Sequence, residues 1–248
     1  MKTNRLLTIL FTIATITVNA LANILPFNGQ TTGEISDRFP IRFVPAGYVF
    51  AIWGLIYLAL LAFAIYQVLP AQRDTKVLDE IAPLYWLASI ANAVWIVLWH
   101  YEFFTLTIIV MAILLLSLIL IYRRVQAARQ PGAGFRWCVQ IPFSIYLGWI
   151  SVATIANAAQ VLYFLNWDAF GLSGELWAVI LLVVATLLGF TMLLRERDWA
   201  YALVLVWAFA GIAIAQADSA LVAYSAWGLA AVMALITLFA VTRRNPSN

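Results

Sequence analysis

Apolar residues along this chain come in long runs. They do not alternate as in a half-buried strand, nor do they form the one-sided stripe of a surface helix. The runs lie at 6–25, 46–69, 83–101, 104–122, 138–164, 175–194, 199–217 and 220–242. A bilayer's hydrocarbon core is about 30 Å thick and an α-helix rises about 1.5 Å per residue, so about 20 mostly apolar residues span it. Charge, Gly or Pro bounds each run: Pro26 and Gly29 follow the first, and Pro70 with Gln72-Arg73-Asp74 follows the second. Arg123-Arg124 closes the fourth, and Arg195-Glu196-Arg197-Asp198 separates the sixth from the seventh. The turn from His100 to Thr105 is very short, which makes helices three and four a tight antiparallel pair. The break at Ala217-Asp218-Ser219 is equally brief. The pattern predicts an all-α fold, a polytopic integral membrane helical bundle of about eight transmembrane helices.

Composition agrees with that picture. Of 248 residues, 65% are hydrophobic and 10% charged, against roughly 25% charged in soluble domains. That much apolar surface must face lipid. One Cys, Cys138, excludes a disulfide framework and a thiolate metal cluster. The excess of basic residues does not gather on an amphipathic face, so nucleic acid is not an expected partner.

The basic residues sit instead at the ends of the apolar runs, where they set orientation. With the N-terminus inside, the inner segments hold Lys2, Arg5, Arg73, Lys76, Arg123, Arg124, Arg129, Arg136, Arg195, Arg197, Arg243 and Arg244, and the outer segments only Arg38 and Arg42. Twelve against two places both termini in the cytoplasm and supports an even number of crossings. Tyr101, Trp167 and Trp199 fall near helix ends, as interfacial anchors do. The expected location is a cell membrane, of a bacterium by expectation. The first run has a second reading. A basic start, an apolar stretch and Ala20-Leu21-Ala22 also resemble a secretory signal, whose removal would leave seven helices and a new outer N-terminus.

Candidate chemistry is sparse. No Asp, Glu, Lys or Arg falls in the middle of a run, whereas ion-coupled pumps and proton relays use such residues. His100, the sole His, stands beside Glu102 at a membrane end, and the two read as an interfacial polar cap rather than a metal site. No nucleophile–base pair and no phosphate-cradling Gly loop is present, so the chain is not expected to be an enzyme.

What remains within the membrane is aromatic and amide. Asn92, Trp95 and Trp99 are spaced i, i+3, i+7 and share one face of helix three; Trp149, Ala153 and Asn157 are spaced i, i+4, i+8 and share one face of helix five. Tyr48 lies at the mouth of helix two and Trp53 about 7 Å deeper, all in the outer half of the bilayer. Such a layer suits a flat, largely apolar ligand. The same residues also serve plain helix packing, at about 0.6 kcal/mol per interhelical hydrogen bond. The connection from Pro26 to Pro45 is the longest on the outer side and reads either as a lid or as a solvated connector.

These residues carry a resemblance. Phe43-Val44-Pro45-Ala46-Gly47-Tyr48-Val49-Phe50-Ala51-Ile52-Trp53-Gly54-Leu55-Ile56-Tyr57 resembles the second-helix signature of the TspO/MBR family, the tryptophan-rich sensory or translocator proteins. Asn92-Ala93-Val94-Trp95 is similar to that family's N-x-x-W in helix three, and Trp149 to Asn157 to its W-x-S-x-A-T-x-x-N in helix five. Tyr48 stands where the signature has its first Trp, and Ala46 and Ile52 where it has prolines. The resemblance covers about residues 5–166 and implies an enlarged, divergent member: a five-helix core over 1–166, then three additional transmembrane helices over 167–248.

Members of that family bind porphyrins and other tetrapyrroles, and in some cases sterols, between the helices beneath the first loop. The resemblance therefore implies a hydrophobic small-molecule ligand, a tetrapyrrole or a sterol-like molecule, for sensing or transport. Tyr48, Trp53, Asn92, Trp95, Trp149 and Asn157 would line the site, with no metal and no resident cofactor. Two rival expectations stand beside it: photochemical breakdown of a bound porphyrin, and a structural or assembly role in which the C-terminal helices dock a partner. Gly211 and Gly228 would permit close helix approach there, although neither belongs to a GxxxG pair. A second copy of the chain, as a homodimer, is also among the expected partners.

Overall fold

The computed structural model describes residues 3–25 and 27–242. Lys2, Pro26, Arg243 and Arg244, used above for loop and orientation, lie outside them. The described residues are helical and contain no strand. The helices are α1 Thr3–Ile24, α2 Thr32–Asp37, α3 Gly47–Tyr66, α4 Lys76–His100, α5 Phe104–Ala127, α6 Ala133–Phe164, α7 Gly174–Arg195, α8 Trp199–Ala215 and α9 Ala220–Thr242. All eight expected runs are helical. Seven are long and apolar enough to cross a membrane, while α8 is apolar but only 17 residues long. Leu58, Leu194 and Leu235 stand 67%, 69% and 67% exposed, as lipid-facing side chains do.

Local chemistry ends the helices where hydropathy placed the breaks. After α4, the Phe103 N–H reaches the Leu98 carbonyl at 2.9 Å and the Glu102 N–H reaches that of Trp99 at 3.2 Å. With Glu102 at φ 64°, this is a Schellman closure, which satisfies carbonyls the helix leaves open. After α6 the same pattern recurs with Asn166 in the left-handed position. Ser173 accepts from the Leu176 N–H at 3.2 Å to start α7, and Asp198 from the Tyr201 N–H at 3.0 Å to start α8. A widened π turn over Arg136–Gln140 precedes Pro142, whose missing N–H would interrupt an ordinary ladder.

The chain folds into two compact units, each discontinuous: Met1–Arg38 with Ala51–Ile150, and Phe39–Phe50 with Ser151–Asn248. In the first unit, α1 presents a buried polar stripe of Thr8, Thr12, Thr15 and Asn19. Thr12 Oγ1 lies 2.7 Å from the Tyr85 hydroxyl, and Trp86 Nε1 donates to Thr8 Oγ1 at 3.0 Å. Beneath them Phe63, Tyr85 and Phe143 pack edge to face, with centroids 4.9–5.9 Å apart. Arg5, counted above among the loop cations, is 3% exposed and lies 3.2 Å from Asp79 Oδ1.

In the second unit, residues 39–50 form a strap on α8. The Ala46 N–H donates to the Gly211 carbonyl at 3.1 Å, and Trp207 Nε1 donates to the Val49 carbonyl at 3.0 Å. Gly211 makes this approach sterically feasible, because a Cβ there would collide with Val49 Cγ2 and stand 3.2 Å from Pro45 Cβ. At Gly189 a Cβ would meet Met233 Cε at 2.6 Å and Leu205 Cδ2 at 2.8 Å, both side-chain tips. Gly228 has open space around it. Arg42 Nη1 donates to Gln216 Oε1 at 3.0 Å and to Asp218 Oδ2 at 2.6 Å, fastening the strap to the α8–α9 turn.

Candidate ligand site

Four of the six residues singled out from the sequence, Trp53, Asn92, Trp95 and Trp149, belong to the first unit. Trp53 is half-buried at the start of α3. Its ring stacks on Tyr57 at 5.5 Å and meets Tyr146 and Trp149 edge-on at 6.0 and 6.3 Å. Trp149 and Tyr146 are buried, and they lie i, i+3 on α6, so one helix face supplies both walls. These rings fix the Trp53 indole while leaving part of it uncovered.

Asn92 is buried on α4 and spends its carboxamide within the unit. Its Oδ1 accepts from Asn19 Nδ2 at 2.6 Å, and its Nδ2 donates to the Tyr146 hydroxyl at 3.1 Å. A buried amide without partners would be strongly disfavoured; here α1, α4 and α6 are tied together through one side chain. One turn further on, half-buried Trp95 stacks on Trp99 at 5.3 Å with the planes 14° apart. Trp99 in turn donates through Nε1 to the Thr32 carbonyl at 3.2 Å, which pins α2 over the end of α4.

The remaining two residues belong to the second unit. Tyr48, on the strap, is 48% exposed and meets Trp207 edge-on at 5.6 Å. Asn157, on α6, is 1% exposed. The connection that reads either as a lid or as a solvated connector is divided: its described residues through Arg38 fold with the first unit, and those from Phe39 fold with the second. Within its first part, Thr31 and Glu34 form a reciprocal capping box at the start of α2. The Thr31 backbone N–H, followed by its hydroxyl, donates to the Glu34 carboxylate and holds it below the usual carboxylate range.

His100 differs from the polar cap expected of it. It is fully buried, its Nδ1 donates to the Ile96 carbonyl at 2.7 Å, and its ring meets Phe27 edge-on at 5.7 Å. Its neighbour Glu102 pairs instead with Arg38 at 2.9 Å. Among the described residues no three His, Cys, Asp or Glu side chains gather as a metal site would require.

Asn19, Tyr57 and Tyr146 were not anticipated. Asn19 ends a polar series spaced 4, 3 and 4 along α1, from Thr8 through Thr12 and Thr15. That periodicity marks a buried face, and it was legible in the sequence. Tyr57 and Tyr146 lie i+4 from Trp53 and i−3 from Trp149, one helical turn from residues already in view.

Comparison with known proteins adds one finding. The family described as TSPO-like protein matches residues 5–239. The match runs through the three C-terminal helices, which the resemblance above places beyond the family core. No curated protein and no solved structure matches the chain. With helices of membrane-spanning length along most of its sequence and a family match over nearly all of it, this chain belongs to the TSPO-like protein family and is an integral, multi-pass membrane protein.

Proposed function

We propose that the protein binds a flat, largely apolar ligand of the tetrapyrrole class at the aromatic layer of its first unit, for sensing or transport. The observation that carries this reading is Trp53: a half-buried indole held on three sides by Tyr57, Tyr146 and Trp149. Rings set at fixed angles offer a planar guest stacking and edge contacts without reorganisation, each worth about 0.5–1.5 kcal/mol beyond area burial. Asn92 serves as strut rather than recognition group, because both ends of its amide are already engaged. Trp95, partly exposed above Trp99, extends the aromatic surface along α4. The arrangement holds and orients a guest.

Titration of the protein in lipid nanodiscs with protoporphyrin, followed by porphyrin absorbance, tests this. Replacing Trp53 and Trp149 together by Phe should weaken the midpoint roughly 2- to 12-fold per indole lost. An unchanged midpoint would remove the aromatic layer from consideration.

A further inference from the structure

The second unit contains a cavity of about 420 Å³ between the C-terminal half of α6 and the first turns of α7. Small residues open it: Ala158 and Ala159 on α6 face Gly174 and Ala178 on α7, and no side chain there fills the gap. Aromatic groups wall it, and each is held in place. Trp177 Nε1 donates to the Ala169 carbonyl at 2.8 Å, Trp167 lies 5.1 Å from Trp177, and Phe39 meets Tyr163 edge-on at 6.2 Å. Phe43, on the strap, is fully buried against this space. The walls are therefore formed before any guest arrives.

The lining has a charge signature. Arg42 is its only ionised side chain, and no carboxylate contributes. Arg42 sits in the strap at the rim and faces Asp218, which is 63% exposed. Solvent screens an exposed pair of this kind, so another anion can take the place of Asp218 at little cost. An apolar hollow with fixed aromatic walls and one cation at its edge fits a molecule with a greasy body and a single negative end. At about 420 Å³ the space falls in the lower part of the range for small-molecule sites, about 300–1,000 Å³, which suits one acyl chain better than two.

We propose that this cavity binds a single-chain anionic amphiphile of the fatty-acid class, with the chain among Phe43, Leu162, Trp177 and Leu181 and the carboxylate at Arg42. The site shares no residue with the Trp53 layer and does not depend on it.

The full chain, in nanodiscs of zwitterionic phosphatidylcholine, is titrated with bromine-labelled stearate while Trp emission is recorded. Bromine quenches only on contact, so a bound chain adds a saturable component to the linear quenching caused by partitioning into lipid. That component should fall at least about twofold in Trp167→Phe/Trp177→Phe and vanish in Ala158→Phe, which fills the hollow. It should persist in Trp53→Phe/Trp149→Phe. The methyl ester of the same acid, and the acid with Arg42→Gln, should bind about tenfold more weakly, as loss of a charge-assisted contact implies. Linear quenching alone, or a saturable component indifferent to the Trp167/Trp177 and Ala158 changes, overturns the site. Equal binding of acid and ester overturns its preference for an anion. The ester comparison and the conservative Trp-to-Phe pair keep the test decisive even if Ala158→Phe fails to fold.

Discussion

At position 211 the side chain is a hydrogen atom, and the strap rests on it. Helix propensity alone favours Ala over Gly by about 0.8–1 kcal/mol, so Gly211→Ala would stabilise α8 if space allowed. The Val49 methyl occupies that space, and displacing a packed segment costs about 1–3 kcal/mol. The clash wins: Gly211→Ala should lower thermal stability in detergent or nanodiscs. Gly228→Ala, with nothing within 4 Å of a new Cβ, should leave it unchanged or raised. Equal melting shifts for the two would contradict the strap. In the sequence Gly211 and Gly228 look alike as helix-approach residues, because what distinguishes them is a residue more than 150 positions away.

Among the elements, the helices were legible and the strap was not. Long apolar runs bounded by charge, Gly or Pro announce spanning helices because lipid cannot solvate exposed backbone. Even the brief breaks at 101–103 and 216–219 close where charged residues stand. The strap carries no periodicity of its own. Its structure depends on Trp207 and Gly211 of α8 and on Asp218 just beyond it, so a local reading leaves residues 39–45 among the loops and takes 46–50 only as the start of helix two. Its outer fastening responds to pH. The hydrogen bond from Arg42 holds the Asp218 carboxyl below the usual carboxylate range. A depressed pKa stabilises the folded state above the unfolded value, near 3.9, and that contribution is lost as pH falls through the lowered value. Acidification below about pH 4 should therefore loosen the strap, and Asp218→Asn should remove that part of the acid sensitivity. Melting temperatures of the two proteins across this window measure the difference; parallel curves would rule the fastening out. Of the candidate site, the sequence yielded the indoles and Asn92 through their spacing. The polar face of α1 that holds Asn19 was also open to reading, but that Asn92 bonds Asn19 and Tyr146 was not, since pairing between helices has no local signature.

For the molecule as a whole, charged residues gather at the ends of the spanning helices. The two arginines assigned to the outer side are each matched by an outer carboxylate, Arg38 with Glu102 and Arg42 with Asp218. At the other end of the first unit's helices, Arg5 pairs with Asp79 and Arg124 donates to the Glu80 carbonyl at 2.7 Å. The positive-inside bias predicts which side is which. With Cys138→Ser as background, an impermeant maleimide should label Asp37→Cys in intact cells, and Asp74→Cys only after permeabilisation. The reverse pattern would invert the topology.

The strap also imposes an order on biosynthesis. The Val49 carbonyl finds its partner in Trp207, 158 residues later. At about 5–20 residues per second, residues 39–50 leave the ribosome roughly 8–30 s before the helix they rest on exists. A nascent chain halted before α8 would hold those residues with nothing to bind, so the second unit can close only when translation is nearly done. Shortening this protein from its C-terminal end would therefore undo structure near its beginning.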